Sequence, residues 1–346
     1  MIRRTLLAAA SGLLALCGLA SCSTGPAGGT ADTGSAGATS QVDKGAFPVT
    51  IKHAFGSTTI AKEPKRIAVV GVNDQDMLLA LGVVPVSIAK VTWGGDADGT
   101  TPWFDAKLKE LRGKKPAILD QTDSIPVDEV AEQRPDLILA TYSGLTRADY
   151  DRLSKIAPVV AYPSMAWGTP WQKSLEMVGQ ATGRNRLAAK VEASTEKEIA
   201  DAKRANPSIQ GKTFVFASLA TTDLSQIPYY TPQDARPTFL TELGMVNAPY
   251  VVAHSPTGEF YTQVSAEKAA DLRSDFFFTY AVKASDAQTF AKDKQLGQIP
   301  AIKSGHMWAS TDNVASLAAG IPTPLSVPYA IDHFLPGVVK AVAGKQ

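Results

Sequence analysis

Pro64-Lys65-Arg66-Ile67-Ala68-Val69-Val70-Gly71-Val72-Asn73-Asp74-Gln75-Asp76-Met77-Leu78-Leu79-Ala80-Leu81-Gly82 is the stretch on which the fold turns. Ile67 to Val70 is an unbroken apolar run, the pattern of a strand covered on both faces. Asn73 and Asp74 then form a polar cap region, Met77 to Leu81 continue as an amphipathic helix, and Gly82 stops it. Further buried runs follow at Val84–Ala89, Leu137–Ala140 and Val159–Tyr162, then at Thr213–Ala217, Phe276–Tyr280 and His306–Ser310. Strand-then-helix alternation of this kind predicts parallel sheets covered by helices, an α/β protein.

An internal echo divides the chain in two. Asp128 precedes Asp136 by eight residues, and Asp136 opens Leu137-Ile138-Leu139; Glu267 precedes Asp275 by the same eight, and Asp275 opens Phe276-Phe277-Phe278. Each block reads as a helix begun by an acid, then a strand begun by an aspartate, so two similarly built lobes are expected. Between them, Asn185 to Asn206 is rich in Ala, Glu and Lys, with Leu187, Val191 and Ile199 on one thin apolar stripe. Asn206-Pro207 ends it. A helix of this length spans about 30 Å and suffices to bridge two lobes.

At the start of the chain, Arg3 and Arg4 precede an apolar run from Leu6 to Leu16, which closes on Leu19-Ala20-Ser21-Cys22. This is a secretory signal peptide over residues 1–21, with an apolar core too short to span a bilayer. The cysteine after Leu-Ala-Ser resembles a bacterial lipobox, which makes Cys22 the lipidated residue and places the rest on the extracytoplasmic face of a membrane. Residues 22–46, mostly Ser, Thr, Gly and Ala up to Lys44, read as a flexible tether. The chain has two cysteines, Cys17 and Cys22, so removal of the signal leaves no free thiol for disulfides, thiolate metal sites or a cysteine nucleophile. The net charge is +1, and loss of Arg3 and Arg4 leaves 32 basic against 33 acidic residues. A near-neutral body argues against a nucleic-acid partner.

Residues 64–82 resemble the opening of the iron–siderophore substrate-binding lipoproteins of ABC importers. So do Val127-Asp128-Glu129-Val130-Ala131-Glu132-Gln133-Arg134-Pro135-Asp136-Leu137-Ile138-Leu139-Ala140 with the following Tyr142-Ser143-Gly144-Leu145-Thr146, and residues 171–184 (Trp171 to Arg184). The likeness runs from about Phe47 to the C-terminus. It implies two α/β lobes, 47–183 and 207–346, joined by one long helix over 184–206, with the ligand held in the cleft between them. It also implies a monomeric carrier, without cofactor or enzymatic activity, that captures a ferric siderophore and delivers it to an ABC permease. In such proteins each lobe presents an acid to the permease; the matching positions here are Asp128, with Glu129 beside it, and Glu267.

Open α/β sheets bind ligands beyond the carboxyl ends of their strands, and clefts for bulky chelates are walled by aromatic rings. On that rule the ligand-binding candidates are Trp93, Tyr142, Trp167, Tyr229, Tyr230 and Arg236. Trp93 lies in a loop of glycines and aspartates, and Tyr229-Tyr230 reads as a rigid surface turn between Pro228 and Pro232. Trp171, at a helix start, reads as structural. Arg236 supplies a guanidinium able to grip anionic chelate oxygens in a fork. Haem is the alternative ligand, with cobalamin and ferric citrate behind it. No nucleophile elbow or dinucleotide fingerprint supports an exported hydrolase, and Asn206 stands where a phosphate loop ending at Gly211-Lys212-Thr213 would need its first glycine. His53, His254, His306 and His333 are scattered, with no spacing suited to a bare metal.

Overall fold

The computed structural model describes residues 40–344; the expected signal peptide, Cys17 and Cys22 lie outside them. The first lobe runs β1 (Val49–His53), β2 (Gly56–Ile60), β3 (Ile67–Val69), α1 (Asp74–Ala80), β4 (Ser87–Ala89), α2 (Pro102–Glu110), β5 (Ala117–Leu119), α3 (Val127–Glu132), β6 (Leu137–Ala140), α4 (Arg147–Leu153), β7 (Val159–Ala161) and α5 (Trp171–Thr182). The long α6 (Asn185–Ala205) follows. The second lobe comprises β8 (Thr213–Phe216), β9 (Gln226–Tyr230), α7 (Ala235–Glu242), β10 (Val246–Asn247), α8 (Pro249–His254), β11 (Tyr261–Ser265), β12 (Phe276–Tyr280), α9 (Ser285–Lys292), α10 (Pro300–Lys303), β13 (Met307–Ser310), α11 (Asn313–Gly320), α12 (Ser326–His333) and α13 (Leu335–Val342).

Each lobe is built on its own parallel sheet, in the order β5-β4-β3-β6-β7 and β10-β8-β12-β13. Side-chain parity explains why their strands are apolar throughout. Ile67, Val69, Leu137 and Leu139 face one hydrophobic cluster, while Ala68, Val70, Ile138 and Ala140 face another on the opposite side of the sheet. Phe214, Phe216, Phe276 and Phe278 share the first of these clusters with the first lobe, whereas Val215 and Phe277 enter a third. One apolar core therefore runs through both lobes. Helix α6 lies along it against α5 and α12, with Ile199 and Ala202 buried and Leu187 and Val191 packed at the edge. The architecture is thus two α/β lobes joined by a single long helix, as the sequence leads one to expect.

The echo between the halves has a structural cause. Asp136 accepts the backbone N–H groups of Lys65 and Arg66, both at 2.8 Å, and Asp275 accepts that of Thr213 at 2.8 Å. In each lobe the aspartate opening one central strand ties down the start of its parallel neighbour, which sets the registers Ile67↔Leu137 and Phe214↔Phe276. The acid-led helices are less alike. Asp128 and Glu129 start α3, but Glu267 lies in a 3-10 turn, Ala266–Asp271.

The chain joins the folded body earlier than its composition suggests. Ser40 donates to the Leu81 carbonyl and accepts from Arg184 Nε at 2.8 Å. Asp43 binds the Arg186 guanidinium at 2.8 Å and its backbone N–H at 3.0 Å. A second departure is an antiparallel pair, β9 with β11, placed against the end of the second sheet.

Polar contacts at two places fasten the lobes directly among the described residues. Thr323 Oγ1 donates to buried Asp76 Oδ2 at 2.8 Å, and the same oxygen takes Trp103 Nε1 at 2.7 Å. Glu242 on α7 accepts from Trp171 Nε1 at 3.2 Å and from Gln172 Nε2 at 2.8 Å on α5. Trp171 is accordingly structural.

Candidate ligand cleft between the lobes

In each sheet the strand order reverses at one point: between β3 and β6 in the first lobe, and between β8 and β12 in the second. Chain leaving neighbouring strands in opposite directions opens a crevice there, where open α/β sheets hold ligands. Tyr142 follows β6, Ser218 follows β8 and Tyr280 ends β12. These residues converge on Arg236.

Helix α7 positions that arginine. Asp234 is its N-cap, accepting the Arg236 backbone N–H on Oδ1 at 2.8 Å and the guanidinium on Oδ2 at 2.7 Å. The Asp234 side chain is wholly buried, whereas that of Arg236 keeps 22% of its surface exposed. The guanidinium lies 4.3 Å from the centre of the Tyr230 ring, a cation–π contact that also fixes its plane. Burial opposes its charge, but the Asp234 carboxylate and the phenols of Tyr142, Tyr230 and Tyr280 outweigh that and raise its pKa further. Burial pushes the Tyr142 and Tyr280 hydroxyls well above the usual phenol range, so both stay protonated donors. The Tyr142 hydroxyl is buried, with no regular hydrogen bond among the described residues.

A cavity of about 410 Å³ opens beside Arg236, walled by Trp93, Ser218, Tyr230, Tyr280 and Leu317. Trp93 reaches it from the first lobe, packing edge-on to Tyr280 at 5.0 Å. The close approach of its loop needs glycine: a Cβ on Gly94, whose φ is +73°, would stand 2.6 Å from the Asn313 carbonyl on α11. On the other side Trp167 crosses Tyr142 at 5.5 Å and lies over Gly144, where a Cβ would stand 2.8 Å from the indole.

The structure therefore brings Trp93, Tyr142, Tyr230 and Arg236 together, with Trp167 at the margin on Tyr142. It does not bring in Tyr229. The expected two-ring turn is strand β9, and strand parity sends Tyr229 into the third hydrophobic cluster, 1% exposed, with its hydroxyl donating to the His254 carbonyl at 3.3 Å. Tyr280, Ser218 and Leu317 were missed. The rule that nominated Tyr142 applies equally to Tyr280 at the end of its apolar run. Asp128, Glu129 and Glu267 are solvent-exposed and are not among the residues lining the cavity beside Arg236. Among the described residues no cluster of histidine, cysteine, aspartate and glutamate is arranged to hold a metal ion, and no helix is long and apolar enough to cross a membrane.

Two lobes joined by one helix, with an arginine and aromatic rings gathered at both sheets' switch points, define a two-lobed solute-binding protein. The chain belongs to the periplasmic binding protein family, whose profile matches residues 67–313. Across 79% of its length it is 30% identical to the probable siderophore-binding lipoprotein YfiY of Bacillus subtilis, covering 83% of that protein. It is 26% identical to the ferric enterobactin-binding periplasmic protein FepB of Escherichia coli, over 76% of this chain and 84% of that one. Among solved structures, PiaA of Streptococcus pneumoniae in complex with ferrichrome superposes with a TM-score of 0.81 at 36% identity, covering 86% of this chain and 99% of PiaA. These relatives place the chain among binding proteins rather than enzymes.

Proposed function

We propose that this protein captures a ferric siderophore in the cleft around Arg236 and delivers it to an ABC importer, held at the extracytoplasmic membrane surface by a lipid on Cys22. The carrying observation is the arginine set among tyrosines and tryptophans from both lobes. The chelate oxygens around ferric iron are electron-rich and accept hydrogen bonds, while the organic shell is bulky and partly apolar. Arg236 offers a fixed fork of donors, already oriented by Asp234, so little order is lost on binding. Tyr280 and Tyr230 flank it, and Trp93 covers the ligand from the opposite lobe. Iron held by its chelator needs no protein ligand. The relatives named for siderophores, together with PiaA in complex with ferrichrome, support this reading.

Delivery is assigned to Asp128 or Glu129 on one lobe and Glu267 on the other, one exposed acid per lobe facing a two-fold permease. Fluorescence titration of the domain with ferrichrome, other ferric siderophores, haem and cobalamin tests the ligand class. Quenching by ferric siderophores supports it, and tight binding of haem alone overturns it. Cys22→Ala should abolish lipid labelling; retained label on that variant would rule out Cys22 as the anchor.

A further inference from the structure

The Trp93–Tyr280 pair has a cavity on each side. The first holds Arg236; the second, of about 350 Å³, lies beyond the carboxyl ends of the second sheet's strands. Thr221 and Thr222 enter it from the loop after β8, Val282 and Asp286 from the segment after β12, and Asn313 from the start of α11. The two compartments differ in charge. Among the described residues, Arg236 is the charged side chain lining the first and Asp286 the charged one lining the second, with no lysine or arginine lining the latter. Asp286 is only 2% exposed. Its Oδ2 accepts the backbone N–H groups of Val282 at 2.9 Å and Lys283 at 3.0 Å, while buried Oδ1 has no hydrogen-bond partner among the described residues. A buried carboxylate oxygen without a donor is an unmet demand for one, and two threonine hydroxyls and an amide add further acceptors around it.

Resting on the siderophore reading, we infer that the second compartment is a subsite for a cationic arm of the ligand. The chelates this protein prefers then carry a protonated amine beyond the iron-binding core. The core sits against Arg236, the linker passes the Trp93–Tyr280 pair, and the ammonium approaches Asp286 and the Thr221–Thr222 hydroxyls. Placing a positive arm near Arg236 instead would set like charges together, so the charge difference also fixes which way round the ligand enters.

The test compares a ferric trihydroxamate bearing a free terminal amine with the same chelate acetylated on that amine, by titration at pH 7. The intact protein should favour the free amine by about tenfold, the worth of one hydrogen bond to a charged group. Asp286→Asn, which keeps an acceptor for the Val282 and Lys283 N–H groups, should remove that preference while leaving affinity for the acetylated chelate unchanged. Thr222→Lys, on an exposed loop where folding is not at stake, should reverse it. Equal affinity of the intact protein for the two chelates, or a preference that survives both substitutions, overturns the subsite and leaves the siderophore reading standing. Failure of both chelates to bind overturns the subsite, and failure of ferrichrome and the other ferric siderophores as well overturns the siderophore reading itself.

Discussion

Asp76 offers the sharpest physical test of how the lobes are held together. It lies buried at the lobe boundary, where its Oδ2 accepts Trp103 of the first lobe and Thr323 of the second, while Oδ1 has no hydrogen-bond partner among the described residues. Burial pushes its carboxyl up from 3.8 to about 7, with the Thr323 and Trp103 hydrogen bonds opposing the rise. The folded protein therefore binds a proton that the unfolded chain releases between about pH 4 and pH 7. Stability from this group is fully present below the unfolded pKa and lost as pH rises through the folded one. At about 1.4 kcal/mol per unit, a rise of about 3 units makes the loss roughly 4 kcal/mol. Asp76→Asn keeps an acceptor for Trp103 and Thr323 but cannot ionise. It should be no more stable than the parent at pH 4.5, where its amide N–H replaces an oxygen and lacks an acceptor, and should gain on the parent by about 3 kcal/mol between pH 4.5 and pH 8.5, the first part of the loss falling below pH 4.5. Urea unfolding of both proteins across that range measures the difference. Parallel stability profiles would refute a protonated Asp76 at the lobe boundary.

Three further outcomes follow from the same geometry. Arg236→Lys keeps the charge but loses the fork and the planar stacking on Tyr230, so siderophore affinity should fall by about tenfold or more with little change in unfolding midpoint; unchanged affinity would remove Arg236 from the site. With α6, the Asp76–Thr323 bond and the Glu242 contacts all joining the lobes, solution scattering with and without ligand should superpose, and a change of several Å in radius of gyration would contradict this linkage. Asp128→Ala with Glu129→Ala, and separately Glu267→Ala, should slow iron uptake while leaving ligand affinity intact, because rim charges govern docking more than the cleft; loss of affinity would place these acids in the binding site.

The lobes were legible because their strands announce themselves. A parallel sheet covered on both sides leaves no polar position, so Ile67–Val70, Leu137–Ala140 and Phe276–Phe278 stand out as unbroken apolar runs. The paired aspartates were legible as a repeat, although only the structure shows that they bind the neighbouring strand's backbone. The cleft was half legible. Position after a strand end picked Tyr142, which the structure places beside Arg236, but β9 lies outside the parallel sheets, and its two-residue period separates Tyr230 from Tyr229 in a way no turn reading anticipates. Asp76 and Thr323 stand 247 residues apart, and nothing local in either segment marks the bond between them.

The central claim is that the Arg236 cleft holds a ferric chelate, and the most direct measurement is a tryptophan-fluorescence titration of the domain with ferrichrome, run beside an Arg236→Ala, Trp93→Ala double variant. The account predicts saturable, one-to-one quenching by the ferric complex, lost in the variant, whose fold is checked by its unfolding midpoint. Undiminished binding by a folded double variant would contradict it.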